Sequence, residues 1–140
     1  MADLHHHIRH HGLDDCGVCA LATALNVTWE RARDAMFDDG LKHLSYATSG
    51  HDIQRGAFHL GWKSVYLRMR PLREDKTWRD IPLKPGQIAI VKVQYADARA
   101  AHWVVFDQGI VWDSNFDTPW HAPDYPYKPL SFLIFEPEEF

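Results

Sequence analysis

The sequence has few of the features that mark several large classes of protein. No apolar run approaches the roughly 18 to 20 residues that a membrane-spanning helix needs, and the His-rich N-terminus has no apolar core of the signal-peptide kind. These absences predict a cytoplasmic protein without membrane insertion. Basic residues are fewer than acidic ones, 15 against 19, so no basic face is expected and nucleic acid is disfavoured as a partner. With only two cysteines, the chain has no disulfide framework.

The rest of the composition is that of an ordinary globular domain. Hydrophobic residues make up 46% of the chain and charged residues 24%, which is enough apolar material for a packed core. A length of 140 residues suits one domain. We find no internal repeat and no low-complexity linker. The sequence therefore predicts a single domain over residues 1–140.

The spacing of the apolar residues changes along the chain. Up to Gly61 it is helical and predicts three helices, one beginning at Cys16, one after Thr28 and one over residues 49–61. Beyond Gly61 it alternates, and predicts strands in WKSVYLRM, QIAIVKVQY, AHWVVFD, IVWDSN and SFLIFEP. Helices followed by antiparallel strands predict an α+β fold.

Polar and small residues mark the ends of the predicted helices. Asp14 and Asp15 precede the first helix, and one of them is expected to cap its free N–H groups. Thr28 is expected to cap the second helix, and Gly61 suits the C-terminal end of the third. Four apolar residues of the third helix are expected to face the core: Ile53, Ala57, Phe58 and Leu60.

Both cysteines lie in GLDDCGVCALATAL, at the start of the first helix, and three interpretations compete. A redox Cys-x-x-Cys normally follows a strand, whereas polar, His-rich residues precede Cys16. A zinc site would combine Cys16 and Cys19 with two N-terminal histidines. However, Cys19 lies one turn into an apolar helix, and no second closely spaced pair of Cys or His occurs elsewhere in the chain. The third interpretation makes Cys16 a nucleophile and Cys19 a small buried hydrophobe.

A nucleophilic cysteine needs a base, and the base needs an orienting group. At the first turn of a helix, oriented N–H groups stabilise the thiolate of Cys16. His102 opens the strand AHWVVFD, and a two-residue turn at the following Gln-Gly brings the next strand back beside it. In that register Asp113 is the diagonal neighbour of His102 and Asn115 its direct neighbour, on one face. Each residue alone has an ordinary structural explanation, but together they favour a nucleophilic site.

These segments resemble a known family. DDCGVCALATAL followed by HWVVFDQGIVWDSN is similar to the papain-like cysteine peptidases, most closely to the small bacterial and phage branch related to the double-glycine leader peptidases that process bacteriocin precursors. The resemblance spans most of the chain, and its specific parts are Asp-Cys-Gly and His-Trp-Val-Val. It implies a papain-like domain, with the nucleophile on a central helix packed against a C-terminal antiparallel sheet. It also implies a peptidase or amidase without metal or cofactor, with Cys16 as nucleophile, His102 as general base and then acid, and Asp113 as orienting group.

One position departs from the family pattern. Its members have a Gln about six residues before the cysteine that helps to form the oxyanion hole, and this chain has His10 there. Because an imidazole N–H can also donate to an oxyanion, His10 is expected to take that role. The alternative is a catalytically silent peptide-binding module on the same fold, although such members usually lose the Cys or the His and this chain keeps both. Either interpretation makes a peptide or protein the expected partner.

Overall fold

The protein is described here by a computed structural model, which covers residues 15–37, 49–94 and 102–138. Within these ranges three helices precede seven strands, so the predicted α+β class is confirmed. The elements are α1 (Cys16–Leu25), α2 (Trp29–Met36), α3 (Gly50–His59), β1 (Trp62–Ser64), β2 (Arg70–Pro71), β3 (Ile88–Gln94), β4 (His102–Asp107), β5 (Ile110–Trp112), β6 (Trp120–His121) and β7 (Lys128–Pro137). Two short 3-10 helices cover Trp78–Asp80 and Ala122–Asp124.

The helices begin and end where polar residues can satisfy the backbone. The side chain of Thr28 accepts the Arg31 N–H at 3.1 Å and caps α2, as predicted. At the start of α3, Ser49 and Asp52 form a reciprocal capping box. α1 ends at Asn26, which takes the left-handed conformation with φ 58°. Local sequence therefore fixes the limits of the helices, and packing fixes which face is buried.

α3 buries a different stripe from the one predicted. Ile53 and Ala57 are buried as expected, but Phe58 is 64% exposed. The third buried position is Gly56, which completes an i, i+3, i+4 stripe with Ile53 and Ala57. Phe58 follows Ala57 directly and is therefore rotated about 100° away from this stripe. A glycine rather than an aromatic ring thus lies against the other helices, and α3 packs closely.

All strand pairs are antiparallel, and the order across the sheet is β1-β7-β3-β4-β5-β6, with β2 also on β7. The strand predicted over residues 62–69 is broken, since only Trp62–Ser64 is regular before a bend. There the Gln54 amide donates to the carbonyl oxygens of Tyr66 and Leu67, at 3.3 and 3.1 Å. A side chain of α3 thus donates to backbone carbonyl groups that would bond to a neighbouring strand if the strand were regular here.

The central strands are buried on both faces. One face carries apolar residues that pack under the three helices: Ile88, Ile90, Trp103, Val105, Leu133 and Phe135. The other face is covered by the segments around the two 3-10 helices, and contributes Ala89, Val91, Val104, Phe106, Phe132 and Ile134. α1 packs against β4, whose first residue is His102. The fold therefore brings α1, which begins at the predicted nucleophile Cys16, to the strand that carries the predicted base.

In the part of the chain that the structure describes, no helix combines the length and apolar character needed to cross a membrane.

Candidate active site

The β4–β5 hairpin sets the position of the predicted base. Gln108 and Gly109 form its two-residue turn with φ values of 52° and 81°, both in the left-handed region that such hairpins require. Asp107 pairs with Ile110, which is the register assumed from the sequence. This register brings Asp113, directly after β5, diagonally opposite His102.

His102 and Asp113 form a short, buried hydrogen bond. Nε2 of His102 lies 2.6 Å from Oδ1 of Asp113, and the side chains are 7% and 0% exposed. Asn115, the other candidate for this place, is exposed, and its backbone N–H donates to Oδ1 of Asp113 at 2.9 Å. Asp113 thus contacts the imidazole through its carboxylate, and the backbone of Asn115 supports that carboxylate.

Asp113 is held as a buried anion. Tyr125 donates its hydroxyl to Oδ2 of Asp113 at 2.6 Å. Burial alone raises the pKa of the Asp113 carboxyl, but hydrogen bonds from His102, Tyr125 and the Asn115 backbone, with the charge of His102, lower it below its ordinary value. The carboxylate therefore stays ionised inside the protein, where it stabilises a positive imidazole.

Cys16 lies at the first residue of α1, half-buried, and its thiol is hydrogen-bonded to His102. Burial lowers the pKa of His102, but hydrogen bonds with Asp113 and Cys16 and the charge of Asp113 outweigh burial and raise it to about 9. The imidazole consequently carries a proton at neutral pH. The structure thus brings Cys16, His102 and Asp113 together.

Cys19, one turn further along α1, has a different environment. It is 1% exposed, and its Sγ donates to Oδ2 of Asp15 at 3.5 Å. Burial, followed by the negative charge of Asp15, raises the pKa of the Cys19 thiol far above its ordinary value. Since the thiolate is the reactive form, this thiol is inert in the folded protein. The two cysteines therefore lie in different environments although they are close in sequence, Cys16 half-buried beside His102 and Cys19 buried beside Asp15.

Asp15, one of the two residues expected to cap α1, does not cap it. Its side chain makes no cap hydrogen bond to α1. It instead accepts the indole N–H of Trp29 at 3.0 Å and the Cys19 thiol. Asp15 is completely buried, and a buried carboxylate needs hydrogen-bond donors. Its donors are side chains of α1 and α2, and not the free backbone N–H groups of α1. Asp14, the other candidate, lies outside the described residues.

Within residues 15–37, 49–94 and 102–138, no three His, Cys, Asp or Glu side chains are grouped as metal ligands would be. Cys16 and Cys19 are both free thiols. His10 and the other N-terminal histidines lie outside the described residues, so the oxyanion-hole role of His10 stays a prediction.

Tyr125 is the site residue that the sequence did not indicate. It follows Asp113 by twelve residues, in a proline-rich stretch with no regular spacing. The short strand β6 and the following 3-10 helix bring it back to Asp113, and neither element was predicted. A tyrosine between prolines is typical of an ordinary loop, so no sequence signal distinguished it.

No protein-family model matches the chain, and no curated protein matches it in sequence. The fold and the site themselves define the class of the protein. It is an α+β domain in which Cys, His and Asp side chains meet where the start of a helix lies against a sheet.

Proposed function

We propose that this protein is a papain-like cysteine peptidase or amidase that hydrolyses a peptide or isopeptide bond. The observation that carries the proposal is the buried 2.6 Å bond between His102 and Asp113, together with the hydrogen bond between the His102 imidazole and the Cys16 thiol. A buried charged pair is expensive to maintain for stability alone, and such groups concentrate at functional sites. Here the pair faces a half-buried thiol at a helix start, which is the arrangement of an activated nucleophile.

The chemistry proceeds by acyl transfer in two halves. The Cys16 thiolate attacks the substrate carbonyl carbon, and the resulting oxyanion is stabilised by the backbone N–H of Cys16 together with His10. The tetrahedral intermediate collapses as the C–N bond breaks, and His102 gives its proton to the leaving amine. His102 then takes a proton from water, whose oxygen attacks the acyl carbon, and collapse returns the thiolate and a carboxylic acid.

Asp113 serves this sequence by fixing the imidazole. Its carboxylate holds the ring in one orientation and stabilises the positive charge that the ring carries before the leaving amine departs. A pKa of about 9 for His102 keeps the general acid protonated at neutral pH. No step needs a metal or a cofactor, and the proposed partner is a peptide or protein substrate in the cytoplasm.

Thiol reactivity tests the proposal without knowledge of the substrate. Iodoacetamide at about pH 6 should label Cys16 of the parent protein much faster than an ordinary free thiol, because only an activated cysteine holds thiolate there. Cys19→Ala is the matched control, since it removes the inert thiol and should label like the parent. Cys16→Ala should not label. A panel of peptidyl electrophiles then identifies the acyl group that the site accepts, and turnover of the matching peptide should vanish in Cys16→Ala only.

Two results would contradict the proposal. If Cys16 reacts no faster than a free thiol, the silent peptide-binding module on the same fold becomes the better interpretation. If Cys16→Ala and Cys19→Ala lose turnover equally, or a chelator abolishes it, a dithiol or metal mechanism is favoured instead.

A further inference from the structure

Tyr125 is not one of the three proposed catalytic residues, yet it contacts the carboxylate on which they depend. Its hydroxyl lies 2.6 Å from Oδ2 of Asp113, and the His102 imidazole lies 2.6 Å from Oδ1. Two short bonds thus approach the two oxygens of one completely buried carboxylate. Rotation of the carboxylate about its terminal torsion, which is otherwise soft, would break both bonds.

The Tyr125 ring is itself firmly held. It is 7% exposed and meets three aromatic rings edge to face. Its ring centroid is 5.6 Å from that of Trp78, 6.1 Å from that of Trp120 and 5.6 Å from that of Tyr127. Such edge-to-face contacts add packing energy and restrict the ring. The hydroxyl is therefore presented to Asp113 from a rigid support.

This support is connected to the strand that carries the base. Trp78 also packs on Phe106 of β4, with 5.2 Å between ring centroids. β4 begins at His102, so the aromatic cluster that fixes Tyr125 also fixes the strand of the imidazole. The two ends of the hydrogen-bonded series Tyr125–Asp113–His102 are consequently held by the same aromatic residue, since Trp78 contacts both Tyr125 and the β4 residue Phe106.

We propose that Tyr125 is a positioning residue of the active site, which acts through Asp113 to hold His102 in the orientation and charge state that acyl transfer needs. The proposal rests on the function proposed above. Its physical reason is that a donor to the ionised carboxylate favours the anion, and the effect is strong in a buried site. Without the hydroxyl, Asp113 is a weaker and less well-oriented partner for the imidazolium.

Tyr125→Phe tests this role because it removes the hydroxyl and keeps the ring. The midpoint of the His102 imidazole titration, followed by NMR, should fall by roughly half to one pH unit. Alkylation of Cys16 at about pH 6 should slow by about tenfold, the effect expected for one hydrogen bond to a charged group. Tyr127→Phe, which removes the hydroxyl of the neighbouring ring, should leave both measurements unchanged.

A double-mutant cycle separates positioning from a general structural role. In an Asp113→Ala background, Tyr125→Phe should have no further effect on Cys16 alkylation, because its partner is gone. A second reduction of the same size in that background would overturn the proposal. The proposal would also be overturned if Cys16 of the parent is activated and the His102 titration midpoint of Tyr125→Phe equals that of the parent. If Cys16 of the parent is itself not activated, the proposed function fails instead, and the two failures are thereby distinguished.

Discussion

The indole N–H of Trp29 donates to the carboxylate of Asp15, with 3.0 Å between Nε1 and Oδ2. Asp15 is the residue directly before Cys16, and Trp29 is the first residue of α2. Both side chains are buried. The bond therefore links the start of α1 to the start of α2, between residues that are fourteen apart in the chain. This bond thus helps to hold the start of α1, and with it Cys16, in place relative to His102.

Trp29→Phe should destabilise the protein, because it deprives a buried carboxylate of a donor. Loss of a hydrogen bond to a charged group corresponds to about 2 kcal/mol in the free energy of unfolding. Trp62→Phe on β1, a half-buried position, is the matched control for the smaller ring. In urea unfolding, the loss in the free energy of unfolding should be about 2 kcal/mol larger for Trp29→Phe than for Trp62→Phe. Equal losses would mean that the smaller ring, and not the lost hydrogen bond, accounts for the effect of Trp29→Phe.

The stability of the protein should fall as the pH rises from 6.5 towards 9. Below the ordinary pKa of 6.5 the folded and unfolded states both hold the His102 proton, so the stabilisation is fully present. Between that value and the folded pKa of about 9 only the folded state holds it, so the free energy of unfolding declines by at most about 1.4 kcal/mol per pH unit. Above about 9 this contribution is lost.

Urea unfolding across this range measures the decline. Cys16→Ala is the best background, because it removes the second ionisable group that contacts His102. Cys16 itself helps to raise the pKa of His102, so in this background the decline should end below pH 9. Adding Asp113→Asn should make the decline smaller and narrower. A stability that is flat over the whole range would contradict the raised pKa.

Gly56→Ala should destabilise the contact of α3 with the other helices. A Cβ on Gly56 would lie 2.5 Å from Cγ of Met36 and 2.6 Å from Cδ2 of Leu21, both in completely buried side chains. Overpacking of this kind typically costs about 1 to 3 kcal/mol. Gly50→Ala on the same helix meets nothing closer than 3.8 Å and should change stability little. Thermal unfolding of the two variants checks this, and similar midpoints would contradict it.

The parts of the fold that could be predicted are those with local signals. Thr28 and the Ser49–Asp52 pair mark helix starts by their own chemistry, and the strands of the β4–β5 hairpin alternate clearly on either side of a glycine-containing turn. The break after β1 was missed because Gln54, in another element, supplies its hydrogen bonds. β6 was missed because two residues are too few for a periodic pattern.

The same limit applies to the site. The register of the β4–β5 hairpin could be predicted because a two-residue turn fixes it, and that register placed both Asp113 and Asn115 within reach of His102. The structure shows the contact of His102 with Asp113. The contacts of Asp15 with Trp29 and of Asp113 with Tyr125 are made between separate elements. Only tertiary packing brings those pairs together, so spacing along the chain contains no information about them.

The last prediction concerns His10, six residues before Cys16, which the proposed function makes a donor to the oxyanion. A donor in an oxyanion hole is typically worth about 10² to 10³ in rate. His10→Ala should therefore lower the turnover of a peptide substrate by that order while the unfolding midpoint stays the same. His10→Gln should restore part of the rate, since an amide donates in the same way, and it should do so with less dependence on pH. His11→Ala is the adjacent control and should have little effect. If His10→Ala turns over like the parent at every pH, the oxyanion hole must be built from backbone N–H groups alone.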